Sequence, residues 1–247
     1  MRLVVAGATG RTGSEIVAEA HERGHDVVGV AGSAGEVAGV TVHAADELAE
    51  LLDADVDALV DFTVPEASVE HAALAAEAGV PYVVGTTGFD EAGIDALRAA
   101  SESTPVLKAS NFARGVQALL RVVEAGVEAL PDYDIELTET HHNGKRDAPS
   151  GTANTILDVV DETREEALER VYGREGEHPR DEREVGVHVR RAGNVRGEHE
   201  LLLAGNDEVL TLTHRAESRR VFAAGAVDAA EWLSSRDAGW YEFGDIL

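Results

Sequence analysis

Residues 2–111 alternate between short apolar runs and amphipathic stretches, and this alternation leaves few folds open. The apolar runs are RLVVA (2–6), DVVGVA (26–31), ALVDFT (58–63), PYVVGTTG (81–88) and VLKASN (106–111). Between them, residues 11–23, 45–53, 66–79 and 90–101 carry apolar side chains at helical spacing. Strands alternating with helices imply right-handed crossovers and a parallel sheet covered on both faces. The expected fold class is α/β, with a Rossmann-like doubly wound sheet.

The first strand-to-helix turn reads GATGRTG, with glycines at Gly7, Gly10 and Gly13. Glycine in such a turn lets the backbone approach a diphosphate, and the free amides of the following helix point toward it. Gly13 would allow close packing of helix on strand. Asp61 to Pro65, Gly85 to Gly88 and Ala109 to Phe112 fall at the carboxyl ends of later strands, the edge where open α/β sheets bind ligands. Their small hydroxyl and amide groups suit a nicotinamide ribose and carboxamide, although each could equally satisfy local backbone. The second strand ends VAGS, and the nearest acid is Glu36, so no carboxylate is placed to select the ribose of NAD over that of NADP.

The second half changes character. An amphipathic helix over residues 113–130 is followed by a strand, DIELTETHH (134–142), and then by a long helix expected over residues 152–172. Residues 173–184 are highly charged without apolar period and read as a solvated loop. Three alternating runs, EVGVHVRRAG, GEHELLLAG and EVLTLTHRAE, suggest antiparallel or mixed pairing, giving an α+β domain with helices on one face of its sheet. A last helix over 218–236 has the apolar stripe needed to return to the first domain. The expected organisation is a dinucleotide-binding domain over 1–112, a substrate-binding and oligomerisation domain over 113–217, and a returning helix over 218–247.

Charge excludes some partners. The 247 residues contain 47 Asp and Glu against 21 Lys and Arg, a formal net charge of −26. Nucleic acid is an unsuitable partner for a chain without clustered cations. No run approaches the roughly 18 apolar residues of a membrane span. With no cysteines and no signal-peptide pattern, a cytoplasmic location is expected. At about 1 M salt the Debye length falls to about 3 Å, which would screen the self-repulsion, so the composition fits a very salty cytoplasm.

Only two lysines occur, Lys108 and Lys145, and the second lies in HHNGKRDAPSGTA (141–153). Adjacent residues of a strand face opposite ways, so His141 and His142 must sit where the strand breaks into loop or do different jobs. One reading is a zinc site with His141, His142 and Asp147, although no cysteine or helical His spacing supports it. Another is plain exposed polarity. A third uses every part: Pro149 and Gly151 make a turn, Thr152 begins a helix whose free amides form an anion site, and a lysine and imidazole add charge-assisted hydrogen bonds and a proton. In molar salt an anion must be captured by short-range contacts of this kind.

The stretch ETHHNGKRDAPSGTA (139–153) resembles the signature of the 4-hydroxy-tetrahydrodipicolinate (dihydrodipicolinate) reductase family of the diaminopimelate route to lysine. The likeness extends in order through GATGRTG, DFT, GTTGFD, SNF, RRAGNVRGEHE and LTHRAESR, along nearly the whole chain, departing at the short loop after the second strand. The resemblance implies a homotetramer that uses NADH or NADPH to reduce a small cyclic dicarboxylate with loss of water, and no metal. By position it implies His141 and Lys145 as catalytic residues, with Lys145 the general acid, and His142, Lys145, Ser150, Gly151 and Thr152 holding substrate carboxylate. It implies a cofactor held by Gly7, Ala8, Thr9, Gly10, Arg11, Thr12, Gly13, Phe62, Thr63, Gly85, Thr86, Thr87, Ser110, Asn111 and Phe112. Short-chain dehydrogenase chemistry needs a tyrosine four residues before a lysine, and those positions here are Thr104 and His141. A non-enzymatic NADP-binding redox sensor would explain the first domain and leave the cation cluster idle.

If the acidic surface is an adaptation to salt, the midpoint of thermal unfolding rises between low and molar salt. A midpoint that stays level or falls would contradict it.

Overall fold

The computed structural model describes residues 1–53, 55–164 and 166–246. The chain runs β1 (Arg2–Ala6), α1 (Gly13–Glu22), β2 (Asp26–Ala31), β3 (Gly35–Val37), β4 (Val40–Ala44), α2 (Leu48–Leu52), β5 (Ala58–Asp61), α3 (Pro65–Ala78), β6 (Tyr82–Val84), α4 (Glu91–Ser101) and β7 (Pro105–Lys108). It continues through α5 (Arg114–Ala129), β8 (Asp134–His141), α6 (Gly151–Thr163), β9 (Glu169–Val171), β10 (Glu184–Arg191), β11 (Glu198–Gly205) and β12 (Glu208–Arg215), and closes with α7 (Arg220–Leu233) and β13 (Gly239–Glu242). Two compact units result, one from residues 1–113 and 219–247, the other from 114–218.

The first unit is an eight-stranded sheet in the order β13-β7-β6-β5-β1-β2-β4-β3, parallel except where β3 returns against β4. Its strands are apolar throughout because both faces are covered. One face buries Leu3, Val5, Val60, Val83 and Leu107 with Ile16 and Val17 of α1 and Ala223, Ala226 and Val227 of α7. The other buries Val4, Leu59, Tyr82, Val84 and Val106 with Leu48, Ala72, Ala75 and Leu97 of α2 to α4. The strand order reverses beside β1, which pairs with β2 on one side and β5 on the other. Ligands of such sheets bind at that reversal.

The second unit is a five-stranded mixed sheet, β12-β11-β8-β10-β9. Strand β8 is parallel to β10 and antiparallel to β11, which is antiparallel to β12. Inward residues Ile135, Leu137, Val185, Val187, Leu201 and Leu203 pack on Leu119, Val123 and Val127 of α5 and Ile156, Leu157 and Val160 of α6. The expected helix over 152–172 is corrected here: α6 ends at Thr163, and Glu169 to Val171 pair with β10. Strand pairing overrides the helical propensity of that stretch. The short strands β3, β4 and β13 were not expected from the sequence; each follows a glycine or is bounded by one. Among the described residues, no helix is long and apolar enough to cross a membrane.

Candidate functional site

Among the described residues each unit carries a candidate site organised by a buried carboxylate near the carboxyl end of a strand. In the first unit the glycine turn joins β1 to α1. Gly7 has φ +79°, and a Cβ there would come within 2.6 Å of the Phe62 carbonyl oxygen. At Gly13 a Cβ would collide with the Gly7 carbonyl. The two glycines let the turn fold tightly under the start of α1 and against the loop after β5; the Gly10 amide closes the turn on the Gly7 carbonyl (2.8 Å), and Gly10 and Arg11 are exposed at its outer side. A cleft of about 390 Å³ opens there, lined by Gly10, Arg11, Thr12, Phe62, Thr63, Val64, Pro65, Gly85, Thr86 and Thr87.

Asp61, wholly buried at the end of β5, shapes that cleft. Its Oδ1 accepts from the Thr63 amide (2.9 Å) and hydroxyl (2.6 Å), and its Oδ2 accepts from the Tyr82 hydroxyl (2.6 Å) and contacts His71 Nδ1 (2.8 Å). The Thr63 amide also reaches the Thr86 hydroxyl (3.0 Å), to which Ser68 donates (2.8 Å). Burial pushes the Asp61 carboxyl up, but the His71, Thr63 and Tyr82 contacts outweigh it and hold the group below its ordinary value. A charged, fully partnered carboxylate thus locks together the two loops, 62–65 and 85–87, that wall the cleft.

The residues expected to hold a cofactor fall into three groups. Gly10 to Thr12, Phe62, Thr63 and Gly85 to Thr87 line the cleft; Gly7, Ala8, Thr9 and Gly13 belong to the turn but not to the lining, Ala8 being fully buried and Thr9 exposed. Ser110 to Phe112 follow β7 outside the cleft lining, and the Phe112 ring lies in the core 5.4 Å from that of Phe62 and 5.1 Å from that of Phe243. The Phe112 side chain is therefore core, and its carbonyl packs against Gly225 of α7. The donor set fits a reduced dinucleotide: exposed amides at a helix start for the diphosphate, and threonine hydroxyls for ribose. After β2, Gly32, Ser33 and Ala34 carry neither acid nor base, and Glu36 is exposed on β3.

In the second unit β8 ends at His141, so His142 is the first residue beyond the strand and the two imidazoles are freed from strict alternation. Ser150 caps α6, its Oγ accepting from the Ala153 amide (3.2 Å), and Gly151 and Thr152 open the helix. Glu139, two residues before His141 and on the same face of β8, is wholly buried. Its Oε1 accepts from the Ser150 amide (3.1 Å) and from Arg191 Nη2 (2.9 Å), and its Oε2 lies 3.0 Å from His141 Nδ1. Arg191 also donates to the Asp147 carbonyl (2.6 Å). One carboxylate therefore ties down the strand end, the helix start and, through Arg191, the loop between them. Burial pushes Glu139 up, but His141, the Ser150 amide and Arg191 prevail and hold it at about 2.

His199 of β11 completes the cluster. Its Nε2 is 3.0 Å from the Ser150 hydroxyl, and its ring stands edge-on to that of His141, with centroids 5.2 Å apart. Burial is the largest cause that pushes it down to about 4, so it is neutral near neutral pH. Lys145 Nζ lies 2.8 Å from the Asp147 carboxylate, whose side chain is 55% exposed. Among the described residues, the zinc set weighed from the sequence, His141, His142 and Asp147, is not brought together; the group whose ligand atoms lie within 4.8 Å of one another is Glu139, His141 and His199. An ion there would share Glu139 with the Arg191 guanidinium, a like-charged neighbour on the same carboxylate.

Around this cluster the end of the sheet gathers Lys145, Arg146, Arg190, Arg191, Arg196 and Arg215, six of the chain's 21 Lys and Arg residues. The carboxylates at the same end are Glu139, Asp147, Glu198 and Glu217. In a chain of net charge −26, a local excess of cations marks a place built for an anion. Glu139, Arg191, His199 and Asp61 were given no role in the sequence reading. The spacing of Glu139 two residues before His141 on one strand was the available signal.

Comparison with known proteins agrees with this geometry. Two family models match, "Dihydrodipicolinate reductase, N-terminus" over residues 1–112 and "Dihydrodipicolinate reductase, C-terminus" over residues 115–247. A 4-hydroxy-tetrahydrodipicolinate reductase of Natronomonas pharaonis is 79% identical over 247 residues, covering 100% of both chains. One of Haloarcula marismortui is 56% identical over 248 residues, covering 100% of this chain and 98% of its own. Among solved structures, a dipicolinate-bound dihydrodipicolinate reductase from Paenisporosarcina sp. TG-14 superposes with a TM-score of 0.81 at 23% identity, covering 100% of this chain and 99% of its own, a likeness of fold. The chain belongs to the dihydrodipicolinate reductase family, whose activity is the reduction of 4-hydroxy-tetrahydrodipicolinate with NADH or NADPH.

Proposed function

We propose that the cluster around Glu139 is where this reductase holds its dicarboxylate substrate and protonates it, and that the cleft beside Asp61 holds the reduced nicotinamide dinucleotide. The observation that carries the first assignment is the shared tether: the start of α6 and, through Arg191, the loop bearing Lys145 are hydrogen-bonded to one buried carboxylate, and His141 Nδ1 lies 3.0 Å from the same group. The amides of Gly151 and Thr152, with Ser150, His142 and Lys145, receive a substrate carboxylate. The Lys145 to Asp147 pair must open for this, and it opens cheaply because Asp147 is exposed and such pairs contribute about 0–1 kcal/mol.

When bound, NADH or NADPH supplies the hydride. The chain's own residues do the rest. Lys145 Nζ delivers the proton that accompanies reduction. His141 turns Nδ1 to Glu139, which leaves Nε2 as the nitrogen able to assist proton transfer at the ring. Neutral His199 steadies the Ser150 cap without competing for the anion. With neither acid nor base after β2, we assign tolerance of both cofactors.

The assembly is proposed to be a homotetramer. Strand β12 lies at a sheet edge, almost wholly exposed, with Val209 and Leu210 outward, and such an edge is a template for pairing with another copy. A cytoplasm of high salt is the proposed setting, from the charge of the chain.

Lys145→Ala is expected to lower turnover by about 10²-fold or more, measured as reduced-nicotinamide oxidation with freshly made substrate at molar salt. Unchanged turnover would move the acid elsewhere.

A second expectation concerns acid stability. His199 titrates at about 4 when folded against an ordinary 6.5, so the unfolded chain binds the extra proton and stability falls as pH drops from 6.5 toward 4. Glu139, at about 2 against 4.5, contributes stability above 4.5 that is lost as pH falls toward 2. Denaturant midpoints taken against pH test this. His199→Gln is expected to flatten the decline between 6.5 and 4, and an identical slope in wild type and variant would contradict the assignment.

A further inference from the structure

The cluster at the end of β8 holds more donor atoms than proton transfer uses. Glu139, His141 and His199 are all buried, and their ligand atoms lie within 4.8 Å of one another. Glu139 Oε2 stands 3.0 Å from His141 Nδ1 and 3.8 Å from His199 Nε2. The Ser150 hydroxyl lies 3.0 Å from that same Nε2. Despite their short approach, Oε2 and Nδ1 meet out of line for a hydrogen bond, and neither has a hydrogen-bond partner among the described residues. A buried carboxylate oxygen and a buried imidazole nitrogen left in this state are costly to keep.

Their spacing suits an ion. A tetrahedral dication with bonds of about 2.0–2.1 Å sets neighbouring donors about 3.3 Å apart, a separation that the observed 3.0 and 3.8 Å bracket. Two imidazole nitrogens and one carboxylate oxygen make a donor set for zinc and similar transition metals, whereas magnesium and calcium take oxygen alone. The Ser150 amide and Arg191 both bind the other carboxylate oxygen, Oε1, and so leave Oε2 to the ion. Hydrogen bonds of this kind usually support a ligating carboxylate. The guanidinium charge holds the affinity below that of a closed structural zinc site.

We propose that Glu139, His141 and His199 form a binding site for a divalent transition-metal ion of the zinc type, and that the ion inhibits the enzyme. The metal site stands on the cluster alone, while the inhibition rests on the role given to His141 above. An ion on Nδ1 draws electron density from the imidazole and leaves Nε2 too weak a base to assist proton transfer. It also takes the Glu139 oxygen toward which the ring is turned.

The test loads the full-length protein with cobalt(II) at molar salt and records its visible absorption. A four-coordinate cobalt(II) ion with nitrogen ligands absorbs strongly, while hydrated ions at the many surface carboxylates absorb weakly. Strong bands are expected to saturate at one ion per chain, to vanish on adding zinc(II) and to persist in magnesium. Glu139→Gln and His199→Gln are expected to weaken cobalt binding by at least about 10- to 100-fold. His188→Gln, on the same sheet but outside the cluster, is expected to leave it unchanged. Wild-type protein without the bands, or a cluster variant that is folded by circular dichroism and keeps them, overturns the site. Anomalous diffraction from cobalt-soaked wild-type crystals locates the ion without any variant, and a peak away from His141 and His199 overturns it equally. For the inhibition, the first turnover of protein loaded with one equivalent is expected to slow about 10²-fold or more and to recover when a chelator removes the ion. Loaded protein that shows the bands and turns over at the metal-free rate leaves the metal site standing and overturns the role given to His141.

Discussion

A carboxylate buried away from water costs several kcal/mol unless charged or hydrogen-bonding partners surround it. Glu139 is such a group, and the second unit's site exists because of how it is satisfied. The Ser150 amide, the Arg191 guanidinium and the His141 imidazole converge on it from a helix start and two strand ends. Removing any one partner leaves a charge stranded, so the arrangement holds the loop over 142–150 in one conformation. Asp61 solves the same problem in the first unit with Thr63, His71 and Tyr82, and the loops it fixes wall the cleft proposed for the cofactor. Each unit spends one buried anion on keeping a binding loop rigid, which is the preorganisation that catalysis by positioning needs.

The global charge and the local charge pull in opposite directions. A dianionic substrate approaching a chain of net charge −26 gains nothing from the field at low salt and is indifferent to it at high salt. What remains is contact chemistry: helix amides, an ammonium already loosely paired, and guanidinium groups at one end of one sheet. Lysine is almost absent elsewhere, and of the two present one sits in this loop.

The parts of the fold legible in the sequence were those with strong local signals. The strand and helix alternation of residues 2–111 follows from apolar periodicity, and the turn at Gly7 and Gly13 from the sterics of close approach. The helix start after the loop was readable to within one residue from Pro149, Gly151 and Thr152, while the Ser150 cap was not foreseen. What the sequence hid were interactions made at distance. Arg191 lies 52 residues from the carboxylate it grips, and His199 lies 49 residues from the serine it supports. The early end of α6 was hidden for the same reason, because Glu169 to Val171 become strand only when β10 is beside them.

The role of Glu139 as the tether is tested most directly by Glu139→Gln, which keeps the shape of the side chain and removes its charge. The quantity to measure is the dissociation constant for pyridine-2,6-dicarboxylate at molar salt, with that for NADPH as the internal comparison. The expected result is dicarboxylate binding weakened at least about tenfold, although residue 139 is assigned no ligand contact, with NADPH binding unchanged. Dicarboxylate binding as tight as, or tighter than, that of the wild type would contradict the account, since the loop would then hold its shape without the buried charge.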